Sequence, residues 1–418
     1  MGNRVKTLLY ETLLRAAQSV PAYKHLLGVV ESTSWEYSPA LLRRFPLLEK
    51  SNLQTCLNSY RSSTFNRAPL KTVFTGGTTG TPLRFFRDTS EYAVENAFVA
   101  RAWKRMNVDL GKDPGVILQG RELPRSPNGI SYKDKNNVLW IDFRRLTTEG
   151  FFRVVEQITK FQPSYIRGYG SLVAEFARYC AKYCISFPGL KGVAYSSDGM
   201  ELSERKRVRE VLCDNLIGFY GQTERVAMAA TCEMNEEYHV FEEYGFVELI
   251  REDGTVIDKI GETGEIVGTS LYPRAVAFIR YRTGDLAAWA DREPCLCGRN
   301  QKRLGDIHGR VRDKMIDKHG RRILFSPSAR DAILACLPYD RSLQFVHGVP
   351  GRLLVRIEKP RDSSVHSLEE AINALSEDFH VEMEWEATME RSGSGKRRLF
   401  VVDYGTGTAV HPPGRPPG

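Results

Sequence analysis

Short apolar runs recur through the middle of this 418-residue chain, at residues 116–119, 138–142, 165–168, 193–196 and 264–271, and glycine- and proline-marked turns separate them. Residues 216–219 form another such run and read as a short buried strand. Residues 5–27 and 91–106 carry helical periodicity instead. Strands alternating with helices predict a layered α/β architecture. After Arg310 the pattern changes: residues 328–336 and 368–379 read as helices, and residues 343–347, 353–358 and 380–386 as strands. A small α+β domain is therefore expected to follow the large one. The expected division is a large N-terminal domain over residues 1–308 and a small C-terminal domain over 309–405. The proline- and glycine-rich residues 406–418 read as a disordered tail, and no internal repeat is evident.

Composition narrows the function classes. The chain is 42% hydrophobic and 26% charged, as in an ordinary soluble globular enzyme, and no apolar stretch is long enough to span a bilayer. Met1-Gly2-Asn3-Arg4-Val5-Lys6 has no signal-peptide apolar core, and Lys6 stands where a myristoylation site would want Ser or Thr, so a cytoplasmic protein is expected. The net charge is +8, but Lys and Arg are scattered among acidic residues with no basic stripe, which argues against nucleic acid. The excess suits anionic small molecules, and it equally suits a solvated surface.

The segment Thr75-Gly76-Gly77-Thr78-Thr79-Gly80-Thr81-Pro82 lies between two expected strands, residues 71–74 and 83–87. Its glycines allow backbone angles that place successive N–H groups on one concave side, and its threonine hydroxyls add donors without bulk. Such a loop can wrap a polyphosphate; a plain polar turn is the alternative. No Lys-Ser/Thr pair closes it and no dinucleotide fingerprint is present. Four further motifs follow in order: Tyr220-Gly221-Gln222-Thr223-Glu224, Tyr281-Arg282-Thr283-Gly284-Asp285, Gly309-Arg310-Val311-Arg312-Asp313 and Ser392-Gly393-Ser394-Gly395-Lys396. The first follows the apolar run 216–219 and the second the run 275–279, so Glu224 and Asp285 should emerge at strand ends, where ligand sites in open α/β sheets lie.

This ordered set resembles the adenylate-forming superfamily of acyl-CoA ligases, luciferases and non-ribosomal adenylation domains. More narrowly it is similar to the phenylacetate–coenzyme A ligase family, in particular its CapK-like branch. The resemblance runs from Phe45-Pro46-Leu47-Leu48-Glu49-Lys50 to about Val402. It implies an α/β fold with a large multi-layer N-terminal domain and a small mobile α+β lid. It also implies activation of a carboxylic acid with ATP to an acyl-adenylate, then transfer to coenzyme A. On this reading the loop from Thr75 to Gly80 holds the β- and γ-phosphates, and Glu224 offers Mg²⁺ a hard carboxylate oxygen. Tyr220, Gly221, Gln222 and Thr223 line the nucleotide pocket, and Asp285 accepts the ribose hydroxyls. The resemblance gives Lys396 the role of meeting the substrate carboxylate and α-phosphate as charge develops. It places Ser197-Asp198-Gly199 at the adenine-binding strand end, Arg310 at the hinge motif, and the start of the acid pocket at Arg167-Gly168-Tyr169-Gly170. The bland alternatives are a turn glutamate, a turn aspartate and a solvated loop lysine.

Three departures stand out. Gly76 occupies a position where the family usually carries serine, no lysine follows Pro82, and Arg312 stands where an aspartate is common at the hinge. Two other outcomes therefore stay open: the acyl-adenylate could pass to an amine or a carrier-protein thiol, or the chain could be a non-catalytic nucleotide-binding scaffold. The resemblance leaves a homodimer open.

The eight cysteines lack a secretory context, so disulfides are not expected. Cys56, Cys180, Cys184, Cys213 and Cys336 read as buried, reduced thiols. Cys295 and Cys297, in a Cys-x-Cys-Gly-Arg run, could join Cys232 and His239 as three sulfurs and one nitrogen around a structural Zn²⁺, or all four could be unliganded. The family often carries similar segments there. For the acid, Tyr92, Phe98 and Trp103 offer aromatic walls that would favour an aryl or arylacetic acid, unless they are ordinary core residues at helical spacing.

Overall fold

The computed structural model describes residues 2–66, 69–75, 82–109, 111–120, 123, 130–143, 148–291, 293–307, 309–338, 341–387, 389–390 and 398–402, the side chains of Thr148 and Arg312 excepted. These residues divide into two compact units, one built mainly from the chain up to Val311 and one mainly from the chain beyond it.

The larger unit opens with the helix Asn3–Ser19, which Pro21 ends by lacking an N–H, and 3₁₀ and short helical turns continue to Glu31. Two strands, β1 (Leu70–Phe74) and β2 (Arg84–Asp88), pair antiparallel as a hairpin. The next strands are β3 (Gly115–Gln119), β4 (Ser131–Lys133), β5 (Val138–Asp142), β6 (Tyr165–Tyr169), β7 (Gly192–Ser196), β8 (Leu216–Gly221), β9 (Met228–Cys232) and β10 (Asn235–Val240). Strands β11 (Gly245–Ile250), β12 (Thr263–Ser270) and β13 (Tyr281–Ala288) form a separate antiparallel sheet, and β14 (Arg303–Leu304) returns to the first.

The main sheet has nine strands in the order β14-β10-β9-β8-β7-β6-β3-β5-β4. Its centre, β5-β3-β6-β7-β8, is parallel, and β9 turns back antiparallel on β8. Parallel strands need crossovers, which the helices Thr148–Phe161, Gly170–Lys182 and Leu202–Val211 supply. Alternate residues of each strand enter different cores, as a period of two requires. Ile166, Val193, Tyr195 and Leu216 pack with Phe151, Phe176 and Ala177, whereas Tyr165, Ala194 and Ile217 pack with Trp103, Phe241 and Tyr244 on the helix Ser90–Trp103 side. The central strands are buried on both faces, which explains why they read as continuous apolar runs.

The run 275–279, expected as a strand before the second motif, is irregular: only an isolated bridge joins Val276 to Arg61. Its side chains serve several cores, with Val276 and Phe278 in one and Ile279 in another, and the motif Tyr281–Asp285 itself opens β13.

In the smaller unit β17 (Leu343–His347) and β18 (Arg352–Ile357) pair antiparallel, and β19 (His380–Glu384) and β20 (Phe400–Val402) join them in parallel. A small hairpin of β15 (Met315–Ile316) and β16 (Arg322–Ile323) precedes them. The helices Pro327–Ala335 and His366–Asn373 bury Ile333, Leu334, Leu368 and Ile372 against Phe345, Leu353 and Val355 of this sheet.

Candidate active site and thiol–imidazole cluster

Three of the sequence motifs converge through one apolar cluster. Leu83 and Phe85 from the base of the hairpin, Val226 from the turn after β8, and Phe278 and Tyr281 at the start of β13 pack together with Leu48 of the Phe45–Lys50 segment. Thr75 closes the neck of the hairpin: its N–H donates to the Leu83 carbonyl at 3.0 Å, and its hydroxyl oxygen accepts from the Leu83 N–H at 3.0 Å. Gly76, Gly77, Thr78, Thr79 and Gly80 lie outside the described residues, as does Lys396.

Strand β8 runs through Tyr220 and Gly221, two residues further than its apolar run, and carries the motif to the sheet edge of the turn. There the Tyr220 hydroxyl donates to Asp285 Oδ2 at 2.9 Å, and the Tyr281 hydroxyl donates to Glu224 Oε1 at 2.8 Å. Each motif thus supplies a tyrosine to the carboxylate of the other. Burial pushes the Glu224 carboxyl above its ordinary range; the Tyr281 hydrogen bond opposes that shift and the Asp285 charge adds to it. Burial, followed by the Asp285 charge, raises the Tyr220 phenol well above its usual value, so it remains a donor.

Asp285 owes its aim to an irregularity in β13. Pairing with β12 jumps from Val267 opposite Arg282 to Glu265 opposite Leu286, so residues 283–285 bulge out of the ladder. Gly284 sits there at φ +76°, a conformation that disfavours any side chain. The Gly284 N–H donates to Glu265 Oε1 at 3.0 Å and the Asp285 N–H to Thr283 Oγ1 at 3.1 Å, which satisfies the displaced backbone. Arg310 pairs with Asp285 both as a β-bridge and through Nε to Oδ1 at 3.1 Å. The third motif is thereby tied to the second.

The turn holding Glu224 has supports that the sequence reading missed. Arg87 of β2 donates to the Thr223 carbonyl, and Arg274 donates to the Arg225 carbonyl at 3.3 Å. Arg225 itself adopts φ +59°, with its guanidinium 4.6 Å from the Tyr92 ring and 3.4 Å from Glu95. The spacing Asp88-x-x-Glu91 was a legible signal, a reciprocal cap at the start of the helix Ser90–Trp103: Asp88 Oδ1 accepts from the Ser90 N–H at 2.8 Å and Glu91 Oε1 from the Asp88 N–H at 3.1 Å. Arg274 lies in an irregular segment and carries no local signal.

Ser197, Asp198 and Gly199 follow β7, with Ser197 at φ +72°. The Asp198 carboxylate accepts from the Gly170 N–H and from the Ser171 hydroxyl, the latter at 2.7 Å, and so caps the helix Gly170–Lys182. A Cβ on Gly170 would stand 2.6 Å from the Gly199 carbonyl oxygen, so this approach needs glycine. The aromatic wall expected on the neighbouring helix is largely core. Trp103 is buried beside Phe219, and Phe98 packs edge-on to Tyr244 and Tyr272. Tyr92 is exposed.

A second cluster forms where β9 and β10 meet the loop before β14. The ligand atoms of Cys232, His239, Cys295 and Cys297 all lie within 4.8 Å of one another. Cys232 Sγ and Cys295 Sγ are 3.7 Å apart, and Cys297 Sγ and His239 Nε2 are 3.6 Å apart. A tetrahedral zinc with bonds of about 2.3 Å to sulfur and about 2.0–2.1 Å to nitrogen has edges of about 3.8 and about 3.6 Å. Burial, reinforced by Arg105, Arg299 and Arg303, pushes the His239 imidazole down to about 4, keeping it neutral as a ligand must be. Burial pushes the Cys232 thiol up to about 12. Burial also acts to raise Cys297, but hydrogen bonds, first from the Arg299 backbone, outweigh it and hold that thiol below its usual value. Of the remaining thiols Cys180 is buried, while Cys56 and Cys184 are exposed, contrary to the expectation that they are core residues; both lie at the ends of helical segments.

Among the described residues no helix is long and apolar enough to cross a membrane. No family model matches the chain. A stretch of 137 residues is 32% identical to the phenylacetate-coenzyme A ligase of Thermus thermophilus, covering 32% of this chain and 30% of that relative's length. A 2-hydroxyisobutyryl-CoA ligase in the postadenylation state superposes with a TM-score of 0.70 at 17% identity, over 96% of this chain and 89% of that one. An anthranilate CoA ligase in complex with anthranoyl-AMP gives a TM-score of 0.53 at 13% identity over 79% and 66% of the two chains. An amide bond synthetase from Marinactinospora thermotolerans gives 0.52 at 14% identity over 94% and 91%. The chain has the fold of the adenylate-forming ligases, and a third of its length is similar in sequence to a phenylacetate–coenzyme A ligase, the family its motifs resemble.

Proposed function

We propose that this protein is an ATP-dependent, AMP-forming ligase that converts a carboxylic acid to an acyl-adenylate with release of pyrophosphate and passes the acyl group to coenzyme A. The observation that carries the reading is the exchange of tyrosines between motifs, Tyr220 to Asp285 and Tyr281 to Glu224, which sets two carboxylates in one site. Asp285, oriented by Tyr220 and Arg310, is the acceptor for the ribose hydroxyls. Glu224 is the Mg²⁺ ligand, and the loop from Thr75 through Gly80 cradles the β- and γ-phosphates. Bound Mg²⁺ supplies charge neutralisation as pyrophosphate departs. Gly221, Gln222 and Thr223 border the nucleotide, and Ser197, Asp198 and Gly199 border the adenine end. Lys396 meets the substrate carboxylate and α-phosphate during the first half-reaction. Residues 1–308 act as the ATP- and acid-binding domain, residues 309–405 as the mobile lid that turns about the Arg310 segment, and residues 406–418 as a tail.

In the same reading Cys232, His239, Cys295 and Cys297 hold a structural Zn²⁺. Three thiolates and one neutral imidazole around a divalent ion leave one negative charge, and Arg105 is at hand: it donates to the Ala230 carbonyl at 2.7 Å and lies within electrostatic reach of Cys232 and Cys297. The reaction is tested by pyrophosphate release and hydroxylamine trapping across a panel of aryl, short aliphatic and long-chain acids, followed by addition of coenzyme A or an amine. No pyrophosphate with any acid would leave a nucleotide-binding scaffold; trapping without thioester formation would point to an amine or carrier-protein acceptor.

A further inference from the structure

Three arginines and two glutamates are gathered behind the Glu224 turn, and the half-reactions described above give none of them a task. Arg87, Glu91 and Arg274 have side chains only 7%, 4% and 3% exposed. Glu91 Oε2 stands 2.7 Å from Arg274 Nη1 and 3.8 Å from Arg87 Nε, and its other oxygen takes the Asp88 N–H. Arg274 also donates from Nε to the Ser270 hydroxyl. The far ends of the two arginines reach the carbonyls of Thr223 and Arg225, the residues immediately before and after Glu224.

We propose that Arg87 and Arg274 are positioning residues that clamp the main chain on both sides of Glu224, with Glu91 as their shared counter-ion. The inference rests on the reading of Glu224 as the metal ligand. Mg²⁺ demands near-ideal octahedral geometry, so a carboxylate on a freely hinging turn would lose the benefit of the metal before losing nucleotide affinity itself. Each clamp bond is charge-assisted, the Arg274 bond buried and the Arg87 bond partly so, and each holds one carbonyl in a fixed direction. A lysine in either place keeps the charge against Glu91, but a point ammonium cannot bridge carboxylate and carbonyl as a planar fork does. The cluster also leaves a surplus of positive charge at the back of a turn that faces an anionic ligand, because Arg225 adds a third guanidinium and Glu95 only a second carboxylate.

The test is calorimetric titration of the full chain with ATP, with and without Mg²⁺, so that no acid substrate is needed. The quantity read is the factor by which Mg²⁺ tightens ATP binding, with Glu224→Gln as the reference for its loss. Arg87→Lys and Arg274→Lys are each expected to lower that factor about tenfold, the equivalent of one charge-assisted hydrogen bond, while ATP affinity without metal stays within about twofold. A purely structural role would lower the melting temperature and leave the factor unchanged, and that result overturns the clamp. The two substitutions act on opposite sides of the turn, so one folded variant suffices. A wild-type chain that binds ATP with no Mg²⁺ effect refutes the Glu224 reading and the clamp with it; a wild-type effect retained in either folded lysine variant refutes the clamp alone.

Discussion

Replacing Tyr281 with Phe isolates one hydrogen bond at the centre of the proposed site. The ring is buried, edge-on to Phe278 at 5.3 Å, and a phenylalanine fills the same space, so the loss is confined to the hydroxyl 2.8 Å from Glu224. Glu224 binds a metal only when ionised, burial already disfavours that form, and the Tyr281 hydroxyl opposes the burial. A hydrogen bond to a charged acceptor is worth about 1.5–3 kcal/mol, which is roughly a ten- to hundredfold change in the ionised fraction wherever the carboxyl is mostly protonated. Tyr281→Phe should therefore lose roughly that factor in pyrophosphate release on the acid side of the pH profile and converge on the wild type at alkaline pH. The stability effect runs the other way. A carboxyl whose folded pKa lies above its unfolded value favours folding below the unfolded value and loses that contribution as pH rises through the folded one, so the metal-free variant should be relatively more stable in acid. A deficit that is equal at every pH would refute the argument, since it would mean that the hydroxyl does not act through the ionisation of Glu224.

The other expectations follow from separate parts of the molecule. Lys396→Ala should abolish acyl-adenylate formation and spare thioester formation from a supplied acyl-adenylate; equal loss of both half-reactions, measured separately, would remove the lysine from its role. Protein prepared without chelator should contain close to one zinc per chain by elemental analysis, and Cys297→Ser should lower both metal content and melting temperature. In chelator-treated protein the imidazole of His239, held down at about 4 by burial, contributes stability that is present above its ordinary value of 6.5 and lost as pH falls towards 4. Urea unfolding that is flat across that window would show that His239 is not buried neutral.

The sequence by itself determined the layered α/β scheme, because strands buried on both faces read as apolar runs, and the runs at 116–119 and 193–196 each begin one residue inside their strands. It also offered the candidate site residues, since glycines, carboxylates and thiols in tight local patterns are visible without a fold. Strands such as β9 and β10 were not legible: Asn235–Val240 begins with polar residues and pairs through a register shift that no local pattern announces. Only the tertiary structure decided which motifs meet. The bulge that aims Asp285 depends on a partner strand 19 residues away, and Cys232 and His239 reach Cys295 and Cys297 across a separation of about sixty residues. Arg274 shows the limit most plainly, lying 183 residues from the Glu91 that neutralises it. Its role comes from burial, which makes an unpaired charge too costly to keep and so forces the guanidinium onto whatever acceptors the fold brings near.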